Sequence, residues 1–194
     1  MQNYTSNSNI AVFGHESAHP SAVADVFNAS TSVSDISTLD CAIFAINPNT
    51  GIDQVTIDAW HSLDEFLIPR LVVVTHLEED AGDFGDAVLI ANRVFDQMVT
   101  PYLVLHDDHG LPCALISLMD MTVTDYSKTP AVQQPCEPEH QTLVQEFREE
   151  YLELKTSMGD GAFAAGVLFP AIPLWIERAI GIDIVNSYLN QLQK

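Results

Sequence analysis

The sequence predicts an α/β protein with a doubly wound, mainly parallel sheet and a small inserted α+β lobe. Apolar runs of strand length alternate with amphipathic helical stretches through the first half of the chain, which is typical of parallel strands linked by crossover helices. After residue 106, short apolar runs separated by turn residues follow one another, which is typical of antiparallel hairpins. We expect a disordered segment at residues 1–9 and one α/β domain over 10–194, with the inserted lobe at about 107–165.

Apolar periodicity places the individual elements. Uninterrupted apolar runs predict strands of the parallel sheet at Ile10 to Phe13, Cys41 to Ile46, Leu71 to Val74 and Tyr102 to Leu105. Apolar residues spaced three and four apart predict helices at 21–27, 55–67, 84–98, 143–154 and 182–192. Within the lobe, the runs at 114–118 and 121–124 are predicted to be short antiparallel strands.

The charge balance excludes two classes of partner. The chain has 7 Lys and Arg against 27 Asp and Glu, which gives a net charge of -20. Because the basic residues are scattered singly, we expect no direct nucleic-acid binding and no membrane association. Three cysteines without ligand-like spacing, Cys41, Cys113 and Cys136, indicate free thiols, and the polar start lacks a signal-peptide pattern. A cytoplasmic protein is expected.

The loop after the first predicted strand is where phosphates bind in many parallel α/β proteins. It runs from Gly14 to Ser21 and keeps the first Gly and the hydroxyl of a phosphate-binding loop. His19 and Pro20 replace the second Gly and the Lys, so the loop lacks a cation and one backbone N–H. We therefore interpret Ser21 as a helix N-cap, with a magnesium-held oxygen as the alternative role.

The same loop contains a possible metal motif. His15, Glu16 and His19 spell His-Glu-x-x-His, the zinc metalloprotease pattern, although Gly14 and Pro20 on either side leave little room for a helix. A zinc-dependent hydrolase is thus a competing hypothesis, with His15 and His19 as the weak metal candidates. The second cluster of possible ligands, residues 106–109, is interpreted as a turn stabilised by its own hydrogen bonds.

Three segments, Asn9 to His15, Leu39 to Gly51 and Arg70 to Phe84, match the pattern of a known family. They resemble the GTP-binding domain of the elongation factor G family. Asn9 to His15 is similar to the family's opening strand and loop, and His15 matches the first His of its Gly/Ala-His-Val-Asp-His-Gly-Lys-Thr motif. Arg70 to Phe84 resembles Arg-x-x-x-x-Asn-Lys-Met-Asp-Arg-x-Gly-Ala-Asp-Phe, and Leu39 to Gly51 resembles the preceding strand and turn. Later segments resemble the inserted subdomain and the closing strand and helix, at Phe169 to Leu189. The resemblance implies a P-loop GTPase-like, or G-domain-like, fold.

The departures from this family fall on its functional positions. Thr75, His76 and Glu78 stand where the resemblance implies the guanine-reading Asn, Lys and Asp. About a dozen residues stand where the family has two switch segments and an Asp-x-x-Gly, so magnesium and the water-positioning His have no evident place. With Gly14, His15 and Ser21, these three residues form a vestigial nucleotide-binding set. We predict no catalytic residue and no resident cofactor.

Three hypotheses follow from these observations. In the first, the chain is a pseudo-GTPase, not an enzyme, that binds an unidentified, translation-related protein partner and is able to form homo-oligomers through the old cleft. In the second, backbone groups near Gly14 to Ser21 and the carboxylate of Glu78 still hold GTP or GDP with magnesium weakly. In the third, the chain is the zinc-dependent hydrolase.

Overall fold

A computed structural model describes residues 9–78 and 82–192, which form two sheets. The larger sheet has five parallel strands in the order β1-β2-β3-β9-β4, and the smaller has four antiparallel strands in the order β5-β6-β7-β8. The larger sheet is built of β1 (Ile10–Phe13), β2 (Cys41–Ile46), β3 (Arg70–Val74), β4 (Met98–Val99) and β9 (Phe169–Pro173). The smaller is built of β5 (Tyr102–His106), β6 (Pro112–Ser117), β7 (Thr122–Asp125) and β8 (Val132–Pro135).

Within the described residues, five α-helices accompany the sheets. They are α1 (Pro20–Phe27), α2 (Gln54–Ser62), α3 (Phe84–Val94), α4 (Pro138–Met158) and α5 (Ile182–Asn190). Four of them, α1, α2, α3 and α5, cover the two faces of the parallel sheet. Apolar residues of α1 and α5 belong to one buried cluster, and those of α2 and α3 belong to another. The mixed α/β prediction with a parallel sheet covered on both faces is therefore confirmed. In the described part of the chain, no helix is both long and apolar enough to span a bilayer.

The central strands are buried along their whole length, which explains their continuous apolar runs. All six residues of β2 and all five of β3 are buried. Successive side chains of a strand point to opposite faces, so Ile43 packs into the α1 and α5 cluster while Phe44 packs into the α2 and α3 cluster.

Two predicted elements have different partners from those expected. The apolar run from Tyr102 to Leu105 predicts a strand of the parallel sheet, but β5 pairs with β6 in the antiparallel sheet, Tyr102 opposite Ser117. On the side away from β2, β3 pairs with β9, which comes much later in the chain. The helix predicted to reach Met98 ends at Val94, and Met98 lies in β4 opposite Phe169. Apolar spacing continues past the true helix end because both segments face the same buried cluster.

A basic side chain, Arg70, lies in the core, although the apolar pattern of the sequence does not predict it. Arg70, at the start of β3, is 1% exposed. Its guanidinium donates to the Asp64 carboxylate at 2.6 Å and to the Trp60 carbonyl, and lies over the rings of Trp60 and Phe169 at 4.7 and 4.9 Å. Hydrogen bonds and cation-π contacts thus compensate much of the cost of burying this charge.

The segment expected to be disordered, residues 1–9, is described only at its last residue. Residues 1–8 lie outside the described part, while Asn9 donates its backbone N–H to Asp40 at 2.8 Å and its side-chain amide to Thr38.

The long helix α4 is mostly exposed. In α4, all of whose 21 residues are described, Val144 is the one buried residue. The outward side of α4 is therefore a large surface that no other element of the described chain covers.

Candidate functional site

The carboxyl ends of β1, β2 and β3 meet at one edge of the parallel sheet, and the segments that leave them form the candidate site. Open parallel sheets bind ligands at this edge. The loop after β1 lies beside Asn47, which follows β2, and beside Thr75 and His76, which follow β3. A cavity of about 60 Å³ lies between these segments and the residues after β9.

Gly14 sets the start of the loop by allowing close approach to β2. Its φ is +152°, and a Cβ there would lie 2.5 Å from the carbonyl oxygen of Ala45. A side chain at this position would therefore force β1 and β2 apart. The structural need for Gly14 does not depend on any ligand.

Several backbone donors of the loop and of the first turn of α1 are satisfied within this segment. Glu16–Ala18 form a short 3-10 turn, at whose start the His15 ring nitrogen Nδ1 accepts from the N–H of Ser17 at 3.2 Å. The amides that donate to acceptors within the loop are those of Ser17, Ala18, His19, Ala22 and Val23. Since Pro20 has no N–H, few amides between Ser17 and Val23 are left to converge on an anion.

Polar side chains from two neighbouring strand ends hold the loop in place. Asn47, which is 5% exposed, donates to the carbonyl of Ser17 at 2.9 Å. The Thr75 hydroxyl oxygen lies 3.2 Å from the carbonyl oxygen of Ala18 and 3.3 Å from that of Ile46, and its one proton is shared between them. The loop is therefore cross-linked to β2 and β3 by hydrogen bonds to its own carbonyl groups.

The cavity beside the loop is lined by imidazole rings and carboxylates. The rings of His19 and His76 meet edge to face, 4.6 Å between centroids, and His76 Nδ1 lies 3.6 Å from a carboxylate oxygen of Glu78. Trp175 and Glu177 complete the polar lining from the segment after β9. Among the described lining residues there is no Lys or Arg, so the cavity offers two carboxylates and no fixed positive charge.

The structure brings together only part of the predicted nucleotide-binding set. Thr75, His76 and Glu78 line the cavity, whereas the His15 ring hydrogen-bonds the Ser17 hydroxyl at 2.8 Å outside it. Ser21 is an exposed residue in the first turn of α1. The interpretation of Ser21 as the N-cap is wrong, because α1 begins at Pro20 and its cap is His19.

Several residues of the site carry no recognisable signal in the sequence. Asn47 closes an apolar run and has the signature of a turn residue, although its amide anchors the neighbouring loop. Trp175 and Glu177 reach the cavity from a segment about 100 residues away from Thr75. His19 is a candidate in the sequence, but for a metal; its left-handed backbone conformation, with φ at 50°, and the contact of its ring with His76 are not predicted by that motif.

The geometry does not support the zinc hypothesis. His15 precedes the 3-10 turn and His19 follows it, so the two rings are not one turn apart on an α-helix. Within residues 9–78 and 82–192, no group of three His, Cys, Asp or Glu side chains is arranged to hold a metal ion. In the other possible cluster, the Asp107 carboxylate accepts from the backbone N–H groups of His109 and Leu111, at 2.9 and 3.0 Å. That segment is a turn stabilised by its own Asp.

Comparisons with known proteins find distant relatives of the chain. No protein-family model matches the chain. An elongation factor G-like protein of Mycobacterium tuberculosis, found in two strains, is 25% identical over 166 residues, which cover 73% of this chain and 22% of the relative. Elongation factor G of Paracoccus denitrificans is 25% identical over 135 residues, 67% of this chain and 19% of the relative. The chain is distantly similar to elongation factor G-like proteins.

A solved structure supports the fold. The crystal structure of ttk003000868 from Thermus thermophilus superposes with a TM-score of 0.69 and 22% identity, over 82% of this chain and 27% of that one. The chain spans about a fifth of the length of the curated relatives that it matches. The comparisons therefore relate this chain to one portion of much longer proteins.

Proposed function

We propose that the chain is a G-domain-like module, related to translation factors, that does not hydrolyse GTP and acts by binding another protein. The observation that carries this proposal is the hydrogen bonding of backbone N–H groups within the loop after β1 and the start of α1. A phosphate-binding loop aims its backbone N–H groups at the ligand. Here five of those groups between Ser17 and Val23 donate to the loop itself.

The size and charge of the neighbouring cavity support the same conclusion. Its volume of about 60 Å³ is well below the roughly 300–1,000 Å³ typical of sites for drug-sized ligands, and a nucleoside triphosphate is of that size. Glu78 and Glu177 in its lining repel phosphate, and no lysine or arginine of the described lining offsets them. A nucleotide would have to displace the His19 and His76 rings and bring its own cation.

The connection between α1 and β2 offers no substitute for the switch segments. It comprises residues 28–40, and its Ser30 exchanges two backbone hydrogen bonds with β1, at 2.8 and 2.9 Å. These bonds cover the outer edge of β1, which is the edge strand of the sheet. A segment held in this way is poorly suited to the disorder-to-order change on which GTPase switches depend.

The outward side of α4 is the surface we assign to partner binding. Leu143 and Phe147 lie one turn apart and are 73% and 54% exposed. Glu146, Glu149 and Glu150 lie beside them on the exposed surface of the helix. An apolar pair among carboxylates suits a partner segment that is both apolar and cationic. Two copies of this chain would instead bring like charges together.

Nucleotide binding tests the proposal directly. Thermal unfolding of the full chain is measured with millimolar GTP or GDP and magnesium, and with ATP and magnesium as the matched control. A nucleotide present at about a thousand times its dissociation constant adds roughly 4 kcal/mol. At about 2–4 °C per kcal/mol for a chain of this size, the midpoint would rise by about 8–16 °C.

We expect the midpoint to be the same with all three nucleotides and without them. A rise that is specific to GTP or GDP would instead support weak guanine-nucleotide binding, and release of phosphate from GTP would contradict the proposal outright. Partner binding is checked with Phe147→Ser, which should abolish retention of a cationic partner. Phe66→Ser, at a 43% exposed phenylalanine elsewhere, is the matched control and should retain it.

A further inference from the structure

A second cavity lies away from the sheet edge, between the end of α4, the segment that follows it and α5. Its volume is about 270 Å³. Tyr151 and Lys155 line it from α4, Asp160 and Phe163 from the connecting segment, and Tyr188 from α5. None of these residues belongs to the candidate nucleotide site.

Aromatic rings form the walls of this cavity. Phe163 is buried, and its ring meets that of Tyr188 edge to face with centroids 4.9 Å apart. Burial raises the pKa of both Tyr151 and Tyr188, so both hydroxyls remain protonated donors at neutral pH. Neither hydroxyl makes a hydrogen bond to another described residue, although half-buried phenols ordinarily find a partner.

Two opposite charges line the same cavity without forming an ion pair. Lys155 and Asp160 are both lining residues, and no salt bridge joins them. The Lys155 ammonium contacts the sulfur of Met119 at 3.8 Å. In a chain with 7 basic residues and 27 acidic ones, a lysine that has no carboxylate partner among the described residues is available to an incoming anion.

We propose that this cavity binds a free aromatic α-amino acid as its zwitterion. The carboxylate of the ligand pairs with Lys155 and accepts from a tyrosine hydroxyl, the ammonium pairs with Asp160, and the ring packs against Phe163. The volume lies just below the roughly 300–1,000 Å³ of drug-sized sites, which suits one amino acid and excludes a nucleotide or a folded peptide. This site is separate from the proposed protein-binding function and does not depend on it.

The ligand series tests each contact on the wild-type chain. L-phenylalanine is titrated into the full chain by calorimetry and by amide NMR, beside N-acetylphenylalanine, which lacks the ammonium, and phenylalaninamide, which lacks the carboxylate. A charge-assisted hydrogen bond accounts for roughly 10- to 100-fold in affinity. We expect saturable binding of phenylalanine, with each analogue about tenfold weaker or more.

Variants test whether the two charges are the ones we name. Lys155→Met and Asp160→Asn should each weaken phenylalanine binding by about tenfold. Lys128→Met and Asp25→Asn change the net charge equally outside the cavity and should leave the affinity unchanged. The proposal is overturned if phenylalanine does not saturate, if N-acetylphenylalanine binds as tightly, or if the control variants weaken binding as much. If a cavity variant fails to fold, the analogue series on the wild type still decides.

Discussion

Replacing Thr75 by valine tests whether its hydroxyl holds the loop after β1 in place. Valine keeps the shape of the side chain, which is 7% exposed, but removes the hydroxyl whose proton is shared between the carbonyls of Ala18 and Ile46. Ile46 keeps a second donor, the N–H of residue 75 at 2.9 Å. The Ala18 carbonyl loses this bond, so the loop after β1 loses its tie to β3.

The expected cost is about 1–2 kcal/mol, the net value of one hydrogen bond plus part of the penalty for a desolvated carbonyl. This corresponds to a fall of roughly 2–8 °C in the unfolding midpoint. Urea unfolding should show a lower midpoint with an unchanged slope. Thr142→Val, the same exchange at an exposed helix position, is the control and should stay within about 0.5 kcal/mol. Equal stability of Thr75→Val and the wild type would refute the assigned tie.

Three further predictions concern backbone strain, thiol reactivity and acid stability. Gly181 has φ at +82°, and a Cβ would overlap a carbonyl of β9, whereas Gly51, with φ at +75°, has open space around it. In urea unfolding, Gly181→Ala should cost on the order of 2–4 kcal/mol and Gly51→Ala about 1 kcal/mol; equal costs would argue against the overlap. Burial raises the pKa of Cys41 to about 12, so iodoacetamide at pH 8 should label it only after unfolding, and rapid labelling of the folded chain would contradict its burial. The pKa of Asp107 is lowered mainly by the hydrogen bond that its carboxylate accepts from the backbone N–H of Leu111. Its contribution to stability is present above the ordinary value of 3.8 and is lost as pH falls through the lower folded value. Asp107→Asn should therefore lose less stability than the wild type below about pH 4, as followed by circular dichroism, and parallel curves would contradict the assignment.

The parallel core is predictable because local pattern and burial coincide there. The apolar runs of β2 and β3 are buried on both faces, so neither needs a distant partner to be recognised as a strand. The run at Tyr102 looks the same locally, yet β5 joins the other sheet. Strand partners are decided by contacts distant in sequence, such as Tyr102 with Ser117 and Val72 with Ala171, which periodicity does not contain.

The position of the site is predictable, but its chemistry is only partly so. Carboxyl ends of parallel strands share one edge, which places the loop after β1 near Thr75 and Glu78. The direction of a side-chain hydroxyl or amide depends on the loop conformation. The hydrogen bonds from Asn47 and Thr75 to the loop carbonyls are therefore not predictable from the sequence. Burial of Arg70 is hidden for a similar reason, since its aromatic neighbours come from separate segments.

An anion-binding loop and a loop whose N–H groups are hydrogen-bonded internally need different backbone conformations. In an anion-binding loop, unpaired N–H groups converge on the position of the anion. Glycine suits such a loop because it permits the required backbone conformation, and lysine suits it because it supplies the cation. Here His19 and Pro20 stand in the places of that glycine and lysine. His19 has a side chain that restricts the backbone, and Pro20 supplies neither a cation nor an N–H. The left-handed His19 turns the chain into α1, and the fixed φ of Pro20 suits the first position of a helix. The two replacements and the bonds from Asn47 and Thr75 all stabilise the same closed loop. We therefore infer that the folding free energy of this loop does not depend on a phosphate ligand.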